Sequence, residues 1–152
     1  LLGLVGSEMC IRDRYRTINR YITVIFYLMK VTIIKSFLII ISSIFYVIVG
    51  IKHFIEPEYF LSIVPPYLPC HLELVYISGL FEVLFGLLIL LPKYRYYGAI
   101  GLILLLLAVF PANIYLAQSK EAQEAIGATQ QIATWRLPIQ GVLIWIAFYI
   151  RK

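Results

Sequence analysis

The sequence predicts an all-α membrane protein, a bundle of four transmembrane helices, and three observations predict it. Apolar residue types make up 62% of the 152 residues against 14% charged, with a mean hydropathy of +0.90, outside the range of a soluble domain. Four apolar segments, residues 33–50, 74–91, 97–117 and 132–150, each approach the ~20 residues that a spanning helix needs. None of the four alternates with a period of two, which argues against a membrane β-barrel.

The N-terminus stands apart. Residues 4–14, LVGSEMCIRDR, resemble a translated transposase adapter of the kind used in sequencing libraries. Residues 1–28 are therefore read as a non-native extension, Met29 as the start, and residues 29–152 as a single four-helix membrane domain. The competing reading is that residues 21–29 form an interfacial helix, although nine residues are too few to span.

The first span carries Ser36, Ser43 and Gly50 at intervals of seven, with Tyr46 and His53 between and beside them, so all five share one helix face. The connection that follows, HFIEPEYFLSIVPPYLPCHLE, contains Pro57, Pro65, Pro66 and Pro69, which deny it a continuous helix. Its aromatic and apolar residues, Phe54, Tyr59, Phe60, Ile63, Val64 and Tyr67, suit a segment lying at headgroup level as a lid over one end of the bundle. The second span places Ser78, Gly79, Glu82 and Gly86 on one face. Glu82 is the most informative position, a lone carboxylate near the middle of an apolar run with no cation within nine residues on either side. Ionisable groups at membrane depth are costly and normally face a protein interior, with a partner or a role.

In the third span Gly98, Gly101, Ala108 and Ala112 form a row of small residues that permits close helix approach. Pro111 interrupts it and frees a backbone carbonyl near Leu107, which neighbouring polar groups must satisfy. The next connection is rich in Ala, Gln and Glu, so one flanking span is expected to extend beyond the bilayer as a polar helix. The fourth span begins with Arg136, Pro138 and Gln140, the two donors at i and i+4 on one face. Its purely apolar part is only residues 141–150.

Charges sort by side. Lys30, Lys35, Lys93, Arg95, Arg151 and Lys152 lie on one side with no acids, while all five acidic residues of the connections lie on the other. The positive-inside rule then places both termini and the short loop between spans two and three in the cytoplasm, and the two long loops outside. The same scatter of cations at span ends leaves no basic stripe for nucleic acid. Tyr94, Tyr96 and Tyr97 beside Lys93 and Arg95 read as a cytoplasmic aromatic belt with snorkelling cations.

Motifs for common chemistries are missing. Outside residues 1–28 only Cys70 remains of the two cysteines, so no dithiol relay is encoded. His53, His71 and Glu73 lack a recognisable metal-ligand spacing, His71 precedes its span where a bis-histidine haem would need it inside, and no Gly-rich phosphate loop or nucleophile motif appears. His71 is read as solvated.

A set of short motifs in order resembles the DoxX-like family of small four-helix bacterial membrane proteins. They are Gly50, His53 and Phe54; Pro57, Phe60, Pro65, Pro66 and Pro69; Gly79, Glu82 and Gly86; Phe110, Pro111, Ala112 and Asn113; and Arg136, Leu137, Pro138 and Gln140. The resemblance implies a multi-pass protein of the bacterial cytoplasmic membrane. The family takes its name from a subunit associated with thiosulfate oxidation that passes electrons to quinone, and most members have no assigned activity.

Two function classes follow. In the first the protein is a quinone-linked redox subunit: Glu82 and His53 transfer protons, Asn113, Arg136 and Gln140 line a pocket open to the outer leaflet, and the redox centre is quinone or a soluble or membrane partner, with no cofactor encoded by motif. In the second it is a non-enzymatic scaffold, chaperone or small-solute permeation protein in which the same residues pack helices and Glu82 is a hydrogen-bonded clip; permeation would need oligomers. Arg136 is the side chain best suited to pair with Glu82, and spacing alone leaves that pairing open.

Overall fold

The computed structural model describes the backbone of residues 2–152 and the side chains from Ile18 onward, so the adapter-like run at 4–14, Cys10 included, lies outside the residues whose side chains are described. The described chain is 83% helix with no strands. Its elements are α1 (Leu2–Ile55), α2 (Pro57–Leu61), α3 (His71–Leu88), α4 (Arg95–Gln118), α5 (Lys120–Ala125) and α6 (Gln130–Ile150). Four helical stretches, Ile18–Ile55, α3, α4 and α6, are long and apolar enough to cross a membrane.

The chain divides into two compact units, Leu1–Phe37 and Leu38–Lys152. In the first, Ile22, Ile25, Phe26 and Leu28 are exposed, and the polar hydroxyls turn back on the helix: Thr23 donates to the Asn19 carbonyl at 2.8 Å and Thr32 to that of Leu28 at 2.9 Å.

Prolines and their neighbours set the boundaries. α1 runs five residues past the expected end at Gly50 and stops where Glu56, the residue before Pro57, leaves the helical region at φ −125° and ψ 58°. α3 begins after Cys70, an exposed residue in the left-handed conformation at φ 55° that redirects the chain from Pro69. It therefore starts three residues before the expected Leu74. It also ends three residues before Leu91: Leu90 and Leu91 donate to carbonyls three residues back, at 3.2 Å each, as the chain tightens toward Pro92. Arg95 reaches back from the start of α4 to donate its Nε–H to the Ile89 carbonyl at 3.0 Å.

The polar segment expected to lengthen a spanning helix is a separate one. Ser119 adopts an extended conformation that breaks the chain between α4 and α5, and its hydroxyl accepts from the Ala122 amide at 3.2 Å as an N-cap. Gln123 is buried and donates to the Leu116 carbonyl at 2.9 Å, filling a vacancy at the end of α4. Thr129 caps α6 in the same way as Ser119 caps α5.

α4 packs against both α3 and α6. One apolar cluster joins Ile39 and Tyr46 of α1, Ile89 at the end of α3, Ala99, Leu102 and Leu106 of α4, and Ala147 and Ile150 of α6. A smaller one gathers Ile63, Leu116, Ala122 and Ala133 at the other end. Both Pro111 and Pro138 sit inside continuous helices. Gln140 of α6 reaches α4 one residue before the carbonyl at Leu107 that Pro111 frees: its Nε2 amide donates to the Leu106 carbonyl, and its Oε1 accepts from Asn113 Nδ2 at 2.7 Å.

Candidate functional site

Glycines bring α1 and α3 together. A Cβ on Gly79 would lie 2.5 Å from the His53 Cβ and 2.9 Å from the Gly50 carbonyl oxygen, and one on Gly50 would lie 2.7 Å from the Gly79 carbonyl oxygen. Gly86 faces Tyr46 one step further along, where a Cβ would meet the Tyr46 Cβ at 3.1 Å. The two helix faces expected from the sequence thus oppose each other, and Glu82 lies between Gly79 and Gly86 on the α3 side.

The polar side chains of this contact are buried and incompletely paired. Tyr46 is 4% exposed, His53 6% and Glu82 9%. His53 Nδ1 lies 2.9 Å from the Val49 carbonyl one turn back and 3.5 Å from Glu82 Oε2. A carbonyl can only accept, so Nδ1 carries the hydrogen and donates it to Val49. Glu82 Oε2 and the Tyr46 hydroxyl have no hydrogen-bond partner. Phe60 of α2 stacks on the imidazole with ring centroids 3.6 Å apart and planes 21° from parallel.

Beside this contact lies a cavity of about 530 Å³, walled by α3, α4 and the 56–70 connection, with His53 from the end of α1. Its lining is apolar or aromatic except for His53 and Ser78, and the Ser78 hydroxyl is already engaged with the Val75 carbonyl at 2.9 Å. Among the described residues His53 is therefore the only titratable group on the wall. Leu104 is 62% exposed and Ile77 50%, so the wall between α3 and α4 reaches the outer, apolar surface of the bundle. The roof is ordered by its own contacts: Pro65 is fully buried, and His71, half-buried rather than solvated, donates from Nε2 to the Pro65 carbonyl at 3.2 Å.

The sequence-derived site residues thus fall into two places. His53 and Glu82 come together, with His53 on the cavity wall. Asn113, Arg136 and Gln140, expected as pocket lining, are not on that wall. Asn113 and Gln140 bond to each other, Gln140 also donating to the Leu106 carbonyl, and Arg136 is half-buried on α6 with no ion pair to Glu82. His53 is the titratable neighbour that Glu82 has instead.

The row of small residues on α4 also has a divided role. Gly98 lies close against the backbone at Leu88 and Ile89, whereas Gly101, Ala108 and Ala112 line the cavity, with the Phe85 ring filling the place a Gly101 side chain would take. Spacing identified that face, but small residues that allow close packing and small residues that leave a void give the same pattern. Phe60, Phe81 and Phe85 were not singled out as site residues. The one available signal is Phe60 five residues before the Pro65–Pro66 pair.

No curated protein and no solved structure matches the chain. A family model described as a domain of unknown function, DUF8561, matches residues 42–151, which hold the α1–α3 contact, the cavity and the α4–α6 contact. The chain belongs to the DUF8561 family.

Proposed function

We propose that this protein binds a lipophilic molecule of the quinone class in the cavity between α3 and α4 and exchanges protons with it through His53 and Glu82. It would do so as a quinone-linked subunit of the bacterial cytoplasmic membrane, the role suggested by its resemblance to DoxX-like proteins. The observation that carries this reading is the pairing of an apolar cavity, open at the bundle surface, with one titratable wall residue backed by a buried carboxyl 3.5 Å away. A largely apolar site with one or two placed polar groups is what a hydrophobic ligand with a polar head requires. A histidine and a carboxyl in reach of each other are the usual parts of a proton path.

In this reading both termini and the 89–94 turn face the cytoplasm, and the 56–70 connection roofs the cavity on the outer side. Lipid supplies the ligand laterally, past Leu104 and Ile77. The electrons go to a soluble or membrane partner, because no resident redox group is encoded. Organic extraction of gently prepared protein followed by mass spectrometry tests the proposal. Co-purified quinone in near-equal amount to protein is expected, and protein that is stable but carries none would overturn it.

The second reading, a non-enzymatic packing network, is favoured by the glycine contacts themselves, since Gly50, Gly79 and Gly86 hold the helices at distances that leave the polar groups little freedom. Under it Glu82→Gln changes neither stability nor any cellular phenotype. Under the first reading the variant folds and loses activity.

A further inference from the structure

We infer that His53 presents an unprotonated Nε2 to the cavity, so that the site selects the hydroxyl-bearing, quinol form of its ligand over the carbonyl form. The inference rests on the proposed quinone-class ligand and specifies which chemical state of it the site recognises.

The hydrogen-bond geometry around the ring carries the argument. The Nδ1 hydrogen is committed to the Val49 carbonyl at 2.9 Å. A neutral imidazole has one hydrogen, so Nε2 is then an acceptor. Were the ring an imidazolium beside an ionised carboxyl, Nδ1–H would be drawn to Glu82 in a charge-assisted bond of about 2.7–2.9 Å. Instead Glu82 Oε2 stands at 3.5 Å and accepts no hydrogen bond.

Three neighbours fix the ring. Phe60 covers one face at 3.6 Å, the α3 backbone at Gly79 presses on its Cβ side, and the Val49 carbonyl holds Nδ1. Among the described residues Nε2 has no hydrogen-bond partner, and it is not one of the sealed polar atoms, which are the Tyr46 hydroxyl and Glu82 Oε2. With Ser78 donating its own hydroxyl hydrogen to Val75, Nε2 is the one side-chain nitrogen on the cavity wall left to meet a ligand. A hydroxyl donates to it, whereas a carbonyl or an ether oxygen faces it lone pair to lone pair.

The test uses the full chain in lipid nanodiscs and three probes that share one short isoprenoid tail: a quinol kept reduced under anaerobic conditions, its quinone, and the quinol dimethyl ether. The quinol should bind at least about tenfold more tightly than either of the others, the factor expected from one buried hydrogen bond against one unsatisfied acceptor. In His53→Phe, which keeps an aromatic ring against Phe60, the three affinities should converge. Nitrogen NMR of histidine-labelled wild-type protein should show the Nδ1–H tautomer at His53, and that readout stands even if the variant fails to fold. Equal binding of quinol and quinone, preference for the quinone, or a doubly protonated ring would overturn the inference and leave the quinone-class reading in place. Binding of none of the three would overturn both.

Discussion

The α1–α3 and α4–α6 contacts both bury polar side chains, and they differ in how completely those side chains are paired. At α4–α6, Gln140 uses its amide hydrogen on the Leu106 carbonyl and its oxygen on Asn113, so the network closes on itself beside a proline. At α1–α3, Tyr46 and Glu82 each keep an unpaired buried atom, and His53 lines a cavity. Leaving a buried polar atom unpaired costs on the order of 1–3 kcal/mol. A bundle that closes one network and leaves the other open points to the open one as the place where a ligand, a proton or water acts.

Changes at four positions would break or sharpen this contrast. The largest effect is expected from Gly79→Leu, whose side chain has no room against His53 and the Gly50 carbonyl; α1 should separate from α3, and the protein should fail to accumulate in the membrane. Gly79→Ala should still fold, with thermal stability in detergent lowered by roughly 1–3 kcal/mol. Next, Gln140→Leu removes a donor to the Leu106 carbonyl and strands the Asn113 amide, and should cost about 1–2 kcal/mol while leaving quinone content unchanged. Equal loss of quinone would show that the α4–α6 network is part of the site. Third, Glu82→Gln should hold stability within about 1 kcal/mol, because the amide preserves shape, and should abolish proton-linked turnover. Loss of expression would instead mean that a charge at this position is needed for folding. The smallest effect is expected from Gly141→Ala on α6, where a Cβ meets nothing within 4 Å; calorimetry should give no loss, and a gain of up to ~1 kcal/mol from helix propensity.

Much of this organisation was legible in the sequence. The apolar runs located the four long helices, and the isolated Glu82, flanked by Gly79 and Gly86, marked the face of α3 that meets α1. Period and burial are local properties, and they survive folding. The partner of a long side chain is not local. Arg136 suited Glu82 by chemistry, yet His53 is the residue that the glycine contact brings within 3.5 Å. Gln140 and Asn113 read as free donors until the Leu106 carbonyl claimed the first. The cavity was hidden for a related reason, since Ala108 and Ala112 become a wall only when the 56–70 connection folds over them with Phe60 against His53.

Cavity filling tests the assignment of the site most directly. Ala108→Phe places a ring in the cavity and leaves His53, Glu82 and the α4–α6 network unsubstituted. Quinone extracted from purified wild-type protein and from Gln140→Leu should be equal, and quinone from stably folded Ala108→Phe should fall at least about tenfold. Quinone retained by Ala108→Phe at the wild-type level would contradict the site, and its absence from the wild-type protein would contradict the function.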